Sequence, residues 1–255
     1  MMARRGVLLA ALAAAIGCGA PAAPDIPELG DGSLQLFGVL TADSSLQVVY
    51  VHQTDGHPIE QLEGSLDEVT ATGDVPLAAA RAVGRGTEFV LLFDALIRPG
   101  RRYRVTVRSP GRPVAMASTT VPGDFSIDSV ATSGDPPGTG GFAASWSASA
   151  NAFRYIVNVR AEPDCLTNAP VCEDIGVPWA GVTSVARIDT VMPGSMAPPD
   201  RTRAIEVAVY AVNRELYDYF TTGVGGTFTV QPKQNVAGGY GVIGAWVRRE
   251  RSIER

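Results

Sequence analysis

Apolar and polar residues alternate with period two along most of the chain, the pattern of strands with one wet face. Leu34, Leu36 and Gly38 open the first run, and Leu46 to Val51 continues it after a polar turn at Thr41 to Ser45. Phe89 to Phe93 is a continuous apolar run of strand length. Tyr103, Val105 and Val107 alternate with Arg102, Arg104, Thr106 and Arg108, and Val114 to Val121 follows a Pro-Gly-Arg-Pro turn. Asp55-Gly56, Pro99-Gly100 and Pro110-Gly111 are turn signals. One short helix is predicted over the Ala-rich stretch Val75 to Val83, just before Gly84 and Gly86.

A boundary is predicted at Val121-Pro122-Gly123-Asp124, and three alternating strands follow. Phe142, Ala144 and Trp146 share one face of the first. Phe153, Tyr155, Val157 and Val159 share a face of the second, and Ile205, Val207, Val209 and Ala211 a face of the third. A last strand is predicted over Val242 to Val247, after Gly238-Gly239-Tyr240-Gly241. Those glycines lack the Lys-Ser/Thr tail and following helix of a phosphate loop, and suit a turn or bulge instead. The pattern predicts an all-β protein of two β-sandwich domains, residues 33–121 and 122–255.

The start of the chain obeys a different rule. Arg4 and Arg5 precede an uncharged apolar stretch from Gly6 to Gly17. As a helix rising about 1.5 Å per residue, this is too short to cross about 30 Å of hydrocarbon, and it has the form of a secretory signal. It ends in Ala15-Ile16-Gly17-Cys18. That sequence resembles the lipobox of bacterial lipoproteins, which implies cleavage after residue 17 and acylation of Cys18. Gly19 follows the Cys where an Asp would imply retention at the inner membrane, so the resemblance implies an outer-membrane address. Residues 18–32, with Pro21, Pro24 and Pro27, are predicted to be an extended tether.

The formal net charge is −5, and losing Arg4 and Arg5 with the leader takes it to about −7. Such an acidic body is not built to grip nucleic acid. Of 3 Cys, the lipobox uses Cys18. Export then makes a Cys165–Cys172 disulfide the default, since no His lies near enough in sequence to complete a zinc site.

From Phe142 to Asn213 the sequence resembles a fibronectin type III domain, over about residues 125–247. That family places a core Trp on its second strand, an aromatic-headed third strand, and a later strand reading Tyr-x-Val-x-Val-x-Ala-Val-Asn. Trp146, Tyr155 and the run IEVAVYAVN at 205–213 follow the pattern, except that Ile205 replaces the corner Tyr. Its hydroxyl bond to the backbone is therefore expected to be missing.

A second resemblance spans nearly the whole mature chain. It rests on the lipobox, Leu36-x-Gly38, the Tyr103-x-Val-x-Val strand, Ala117-Ser-Thr-Thr-Val-Pro122, Phe125-Ser-Ile-Asp-Ser129, and above all Asn235-Val-Ala-Gly-Gly-Tyr-Gly-Val-Ile-Gly-Ala245. These resemble the bacterial lipoproteins of the domain-of-unknown-function 4249 family, with Ile243 in place of the usual Phe. The resemblance implies an outer-membrane lipoprotein, often encoded beside TonB-dependent receptors, with no established catalytic residues.

Candidate chemistry is sparse. His52 and His57, the only histidines, flank a turn with Asp55, and are either metal ligands or polar residues around a hairpin. Ser145 and Ser147 flank Trp146 without a Gly-x-Ser-x-Gly elbow, and suit the outward face of a strand. Asp31 between two glycines, and Asp43, lack the alternating oxygen ligands of a calcium loop. Leu216, Tyr217, Tyr219 and Phe220 form the densest aromatic cluster. On a loop they suit partner contact, and equally a plug for the end of a sandwich. The expectation is a non-catalytic, cofactor-free binding or assembly module. A structural spacer, or a hydrolase with an unrecognised site, is the alternative.

Overall fold

The computed structural model describes residues 32–132, 141–163, 179–191, 202–223 and 233–254. The first half contributes β1 (Leu34–Thr41), β2 (Leu46–Gln53), β3 (Glu63–Thr70), β4 (Gly73–Ala79), β5 (Arg81–Arg85), β6 (Glu88–Asp94), β7 (Arg102–Arg108) and β8 (Ala115–Thr120). The second half contributes β9 (Ile127–Thr132), β10 (Gly141–Trp146), β11 (Arg154–Pro163), β12 (Trp179–Thr183), β13 (Arg187–Val191) and β14 (Thr202–Val212). Helix α1 (Arg214–Gly223), β15 (Val236–Ala237) and β16 (Gly239–Glu254) follow.

The strands form three sheets. One has eight strands in the order β12-β11-β14-β16-β1-β2-β6-β5, one has five in the order β15-β8-β7-β3-β4, and one has three in the order β13-β10-β9. The alternation read from the sequence marks the inner faces. Tyr103, Val105 and Val107 are buried on β7, Phe142, Ala144 and Trp146 on β10, and Val207 and Val209 on β14. These side chains join Leu36, Leu66 and Phe93 in one cluster that runs through both halves. Tyr103 closes a corner of the first half, where its hydroxyl accepts the Arg98 N–H at 2.8 Å. Ile205, in the position where such a Tyr was expected in the second half, is buried in the core instead.

One expectation fails here. Residues 75–83 are not helical, because they run through β4 and into β5. Pro76 lies on an edge strand beside a register shift of β3, where its missing N–H interrupts no ladder. Ala80 turns the chain by donating its N–H to the Gly64 carbonyl at 2.8 Å, and β5 then pairs with β6 in the other sheet. Edge pairing on two sheets overrides the helix propensity of the alanines. The aromatic cluster, for which the sequence left a contact loop and a plug open, lies on α1.

The last strand extends well beyond 242–247. It pairs in parallel with β1 from Leu34↔Gly239 to Thr41↔Trp246. It pairs antiparallel with β14 from Val212↔Trp246 to Ala204↔Glu254. Trp246 belongs to both ladders, so one strand of 16 residues splices the sheets of the two halves. The glycines before it are the close-approach points. Gly241 has φ +100°, and a Cβ there would lie 1.9 Å from the Leu36 carbonyl oxygen; at Gly239 the Leu34 oxygen would be 2.3 Å away. The Asn235 side chain braces the turn, donating to the Ile243 carbonyl at 2.9 Å and accepting its N–H at 3.0 Å. Arg249 locks the junction from outside, reaching Asp43 of the β1–β2 turn at 2.8 Å and Asp124 of the connector between the halves.

Candidate functional site: the contact surface on helix α1

Helix α1 begins at Asn213, whose carbonyl-side Oδ1 accepts the Leu216 N–H at 3.2 Å, an N-cap bond. The same oxygen accepts the Ala245 N–H of β16 at 3.1 Å. Its Nδ2 donates to Thr119 Oγ1 at 2.6 Å and to the Thr120 carbonyl at 3.2 Å. One buried amide thus fixes the helix start to β16 and to β8 of the five-stranded sheet. Gly244 lets the helix approach closely, since a Cβ there would sit 2.4 Å from Leu216 Cβ.

The helix divides its residues by the 3.6 period. Leu216, 2% exposed, packs with Ile156, Tyr210 and Val212 on the outer face of the eight-stranded sheet. Tyr219, 3% exposed, packs with Phe37 and Val242, and Phe220 lies half-buried against the same group. Burial raises the pKa of Tyr219, whose hydroxyl finds no partner among the described residues. Leu216, Tyr219 and Phe220 are therefore the helix's seat, the plug of the two readings left open by the sequence.

Tyr217 is half-buried against the Leu216 group and also reaches Phe153. Its ring meets the edge of Phe153 with centroids 5.5 Å apart. Phe153, expected to face inward with Tyr155, instead sits just before β11 and turns toward α1. Two guanidinium groups lie over its ring, Arg154 at 4.3 Å and Arg214 at 4.1 Å from the centroid. Arg154 is also 5.6 Å from the Tyr217 centroid. Among the described residues, neither arginine has a carboxylate within ion-pair distance. Sequence reasoning missed Phe153, Arg154 and Arg214 as surface residues. The signal was the pair Phe153-Arg154 just ahead of a strand and Arg214 just after one.

The other candidates are dispersed. Cys18, Cys165 and Cys172 lie outside the described residues, as does Asp31. Asp55 gathers the His57 N–H at 2.9 Å, the Arg112 guanidinium at 3.2 Å and the Gln53 amide. These bonds, the His57 N–H first, lower its pKa from 3.8 to about 2. Arg112 also donates to the Gly32 carbonyl at 2.5 Å, so the cluster clamps the entry to β1. His52 is on β2 opposite Glu88 of β6. Among the described residues no group of three or more His, Cys, Asp or Glu is gathered to hold a metal ion. Asp43 is engaged by the Arg248 N–H and Arg249. The Ser145 hydroxyl bonds that of Ser129 at 2.7 Å, and Ser147 Oγ accepts the Ser126 N–H at 2.9 Å. No described helix is long and apolar enough to cross a membrane.

Comparison with solved structures finds distant likeness to immunoglobulin and fibronectin-type proteins. The FN1–FN3 domains of chicken CNTN1 match at 13% identity and a TM-score of 0.29, over 71% of this chain and 61% of that one. The IG1+IG2 domains of DIP-gamma match at 8% identity and a TM-score of 0.23, over 69% and 89% of the two chains. The BSP domain of a biofilm-associated protein matches at 10% identity and a TM-score of 0.24, over 69% and 26%. The search of curated proteins finds no match. The family described as "Domain of unknown function (DUF4249)" matches residues 21–252, and the chain belongs to that family.

Proposed function

We propose that the protein is an exported lipoprotein, held on the outer membrane by acyl chains on Cys18, that acts as a non-catalytic binding or assembly module. Its partner is an outer-membrane receptor of the TonB-dependent type, to which it is an accessory. Its body is two β-sandwich units, the second fibronectin type III-like. The facing sets β13-β10-β9 and β12-β11-β14-β16 around Trp146 support that reading of the second unit, and the Tyr103 corner supports a sandwich in the first. A single acyl chain holds a protein marginally and two or more hold it firmly.

The observation that carries the binding role is the cluster of Phe153, Tyr217, Arg154 and Arg214. Aromatic and Arg side chains dominate the energetics of protein contacts, and here they are held by an N-capped helix and a strand end. By contrast, the serines and His57 are engaged in structural bonds. Photocrosslinking from position 217 in native membranes tests the reading, and an adduct with an outer-membrane β-barrel is expected. Cys18→Ser is expected to release the protein or block its processing. No adduct, or unchanged fractionation and mature mass for Cys18→Ser, would refute the corresponding part.

A further inference from the structure

We infer that the Phe153–Tyr217 platform receives an acidic segment of a partner protein, with Arg154 and Arg214 each taking a carboxylate. The inference rests on the binding role proposed above and names the chemistry that the partner must present. Other held arginines of this acidic protein are already matched: Arg112 by Asp55, Arg249 by Asp43 and Asp124, Arg248 by Glu206 and Glu250. Arg154 and Arg214 are held by an aromatic ring instead. From the two ring distances, 4.3 and 4.1 Å, their Cζ atoms are at most 8.4 Å apart.

A guanidinium held over a ring loses rotamer freedom and keeps N–H groups for a bidentate grip on a carboxylate. Arg154 uses one N–H on the Phe153 carbonyl at 2.8 Å, which fixes its orientation further. Arg214 is the first residue of α1. That end of a helix dipole disfavours a cation and favours an anion, so an incoming carboxylate relieves both the dipole conflict and the repulsion between the two arginines.

A membrane surface is the weaker occupant. Recognition of anionic lipid takes clusters of about 4–8 basic residues, and the net charge of the whole chain is −5. Two arginines beside two aromatic rings have the composition of a protein contact.

The test uses the full lipidated chain in a non-ionic detergent and a fluorescent poly-L-glutamate of about 20 residues, long enough to span both arginines. Binding is read by anisotropy at low salt. The Arg154→Gln/Arg214→Gln double variant is expected to weaken it about tenfold or more with thermal unfolding unchanged. Arg154→Lys/Arg214→Lys should recover only part, because it keeps the charge without the planar fork. Raising the salt should weaken wild-type binding. Equal binding by wild type and the Gln double variant, no wild-type binding, or preference for phosphatidylglycerol vesicles over polyglutamate would overturn the inference. Adducts from position 217 together with any of these results would leave the contact-module reading standing and remove only the carboxylate.

Discussion

Asn213→Ala should be among the most damaging single polar substitutions in the chain. The side chain is 3% exposed and makes four hydrogen bonds to three different elements. Removing it deletes the cap of α1, worth about 1 kcal/mol. It also strips the Ala245 N–H and the Thr120 carbonyl of a partner, and each buried polar group left unpaired costs about 1–3 kcal/mol. The contributions overlap, so about 3–4 kcal/mol is expected, a large part of the roughly 5–15 kcal/mol that holds a folded domain. Urea unfolding measures it.

Thr119→Val supplies the comparison. It removes the acceptor 2.6 Å from Nδ2 but leaves that amide its second bond, to the Thr120 carbonyl at 3.2 Å. About 1 kcal/mol is expected from a single lost bond. In the double variant the two losses should fall short of additivity by about 0.5 kcal/mol or more, the mark of side chains in contact. A loss below about 1 kcal/mol for Asn213→Ala, or additive losses, would refute the assignment of Asn213 as the joint between helix and sheets.

Trp146 is 3% exposed and packs against Tyr155 with centroids 5.3 Å apart, so Trp146→Ala should cost about 3–5 kcal/mol in the same unfolding assay. Gly244→Ala should lift α1 from the sheet, because its Cβ would meet that of Leu216 at 2.4 Å, and should reduce crosslinking from position 217 more than it lowers thermal stability. Asp55 has its pKa lowered from 3.8 to about 2, so its stabilising contribution is complete above pH 4 and is lost as pH falls from about 4 to 2. Asp55→Asn should flatten the stability profile in that window and leave the slope above pH 5 unchanged. Cys165 and Cys172 should resist alkylation in unreduced protein and react after reduction, which mass spectrometry of the labelled chain reads directly.

The inner faces of the strands were legible because period two is a local signal. Tyr103 to Val107, Phe142 to Trp146 and Ile205 to Ala211 each alternate, and each buries the predicted side. The helix was hidden because Tyr217, Tyr219 and Phe220 are aromatic, and aromatic residues suit strands as well as helices. Its cues were Asn213 three residues before Leu216, Glu215 in the first turn, and the spacing of Leu216, Tyr219 and Phe220. Residues 248–254 fell outside the predicted last strand because nothing local announces a partner strand. They are in the ladder because β14 pairs with them, and because Arg248, Arg249 and Arg251 find Glu206, Asp43, Asp124 and the carbonyls of Ile127 and Asp128. The contact surface was half legible. Tyr217 lay in the aromatic cluster, but Phe153, Arg154 and Arg214 meet it only through the pairing of β11 with β14.

The stretch Asn235 to Ala245, on which the resemblance read from the sequence chiefly rests, accounts for this division. Its glycines answer four separate close approaches: Gly238 to the Val114 carbonyl, Gly239 to Leu34, Gly241 to Leu36, and Gly244 to Leu216. The first fits the turn against the start of β8, and the next two let β16 lie against β1. The fourth lets α1 seat on β16. The motif therefore specifies a junction, and the junction sets where α1 presents Tyr217 and Arg214. Arg214 and the Phe153-Arg154 pair fall outside the motif, on the rim that it positions. On the contact role proposed above, the partner's chemistry is to be sought in Phe153, Arg154, Arg214 and Tyr217, and not in the glycine stretch, whose residues are spent on the junction.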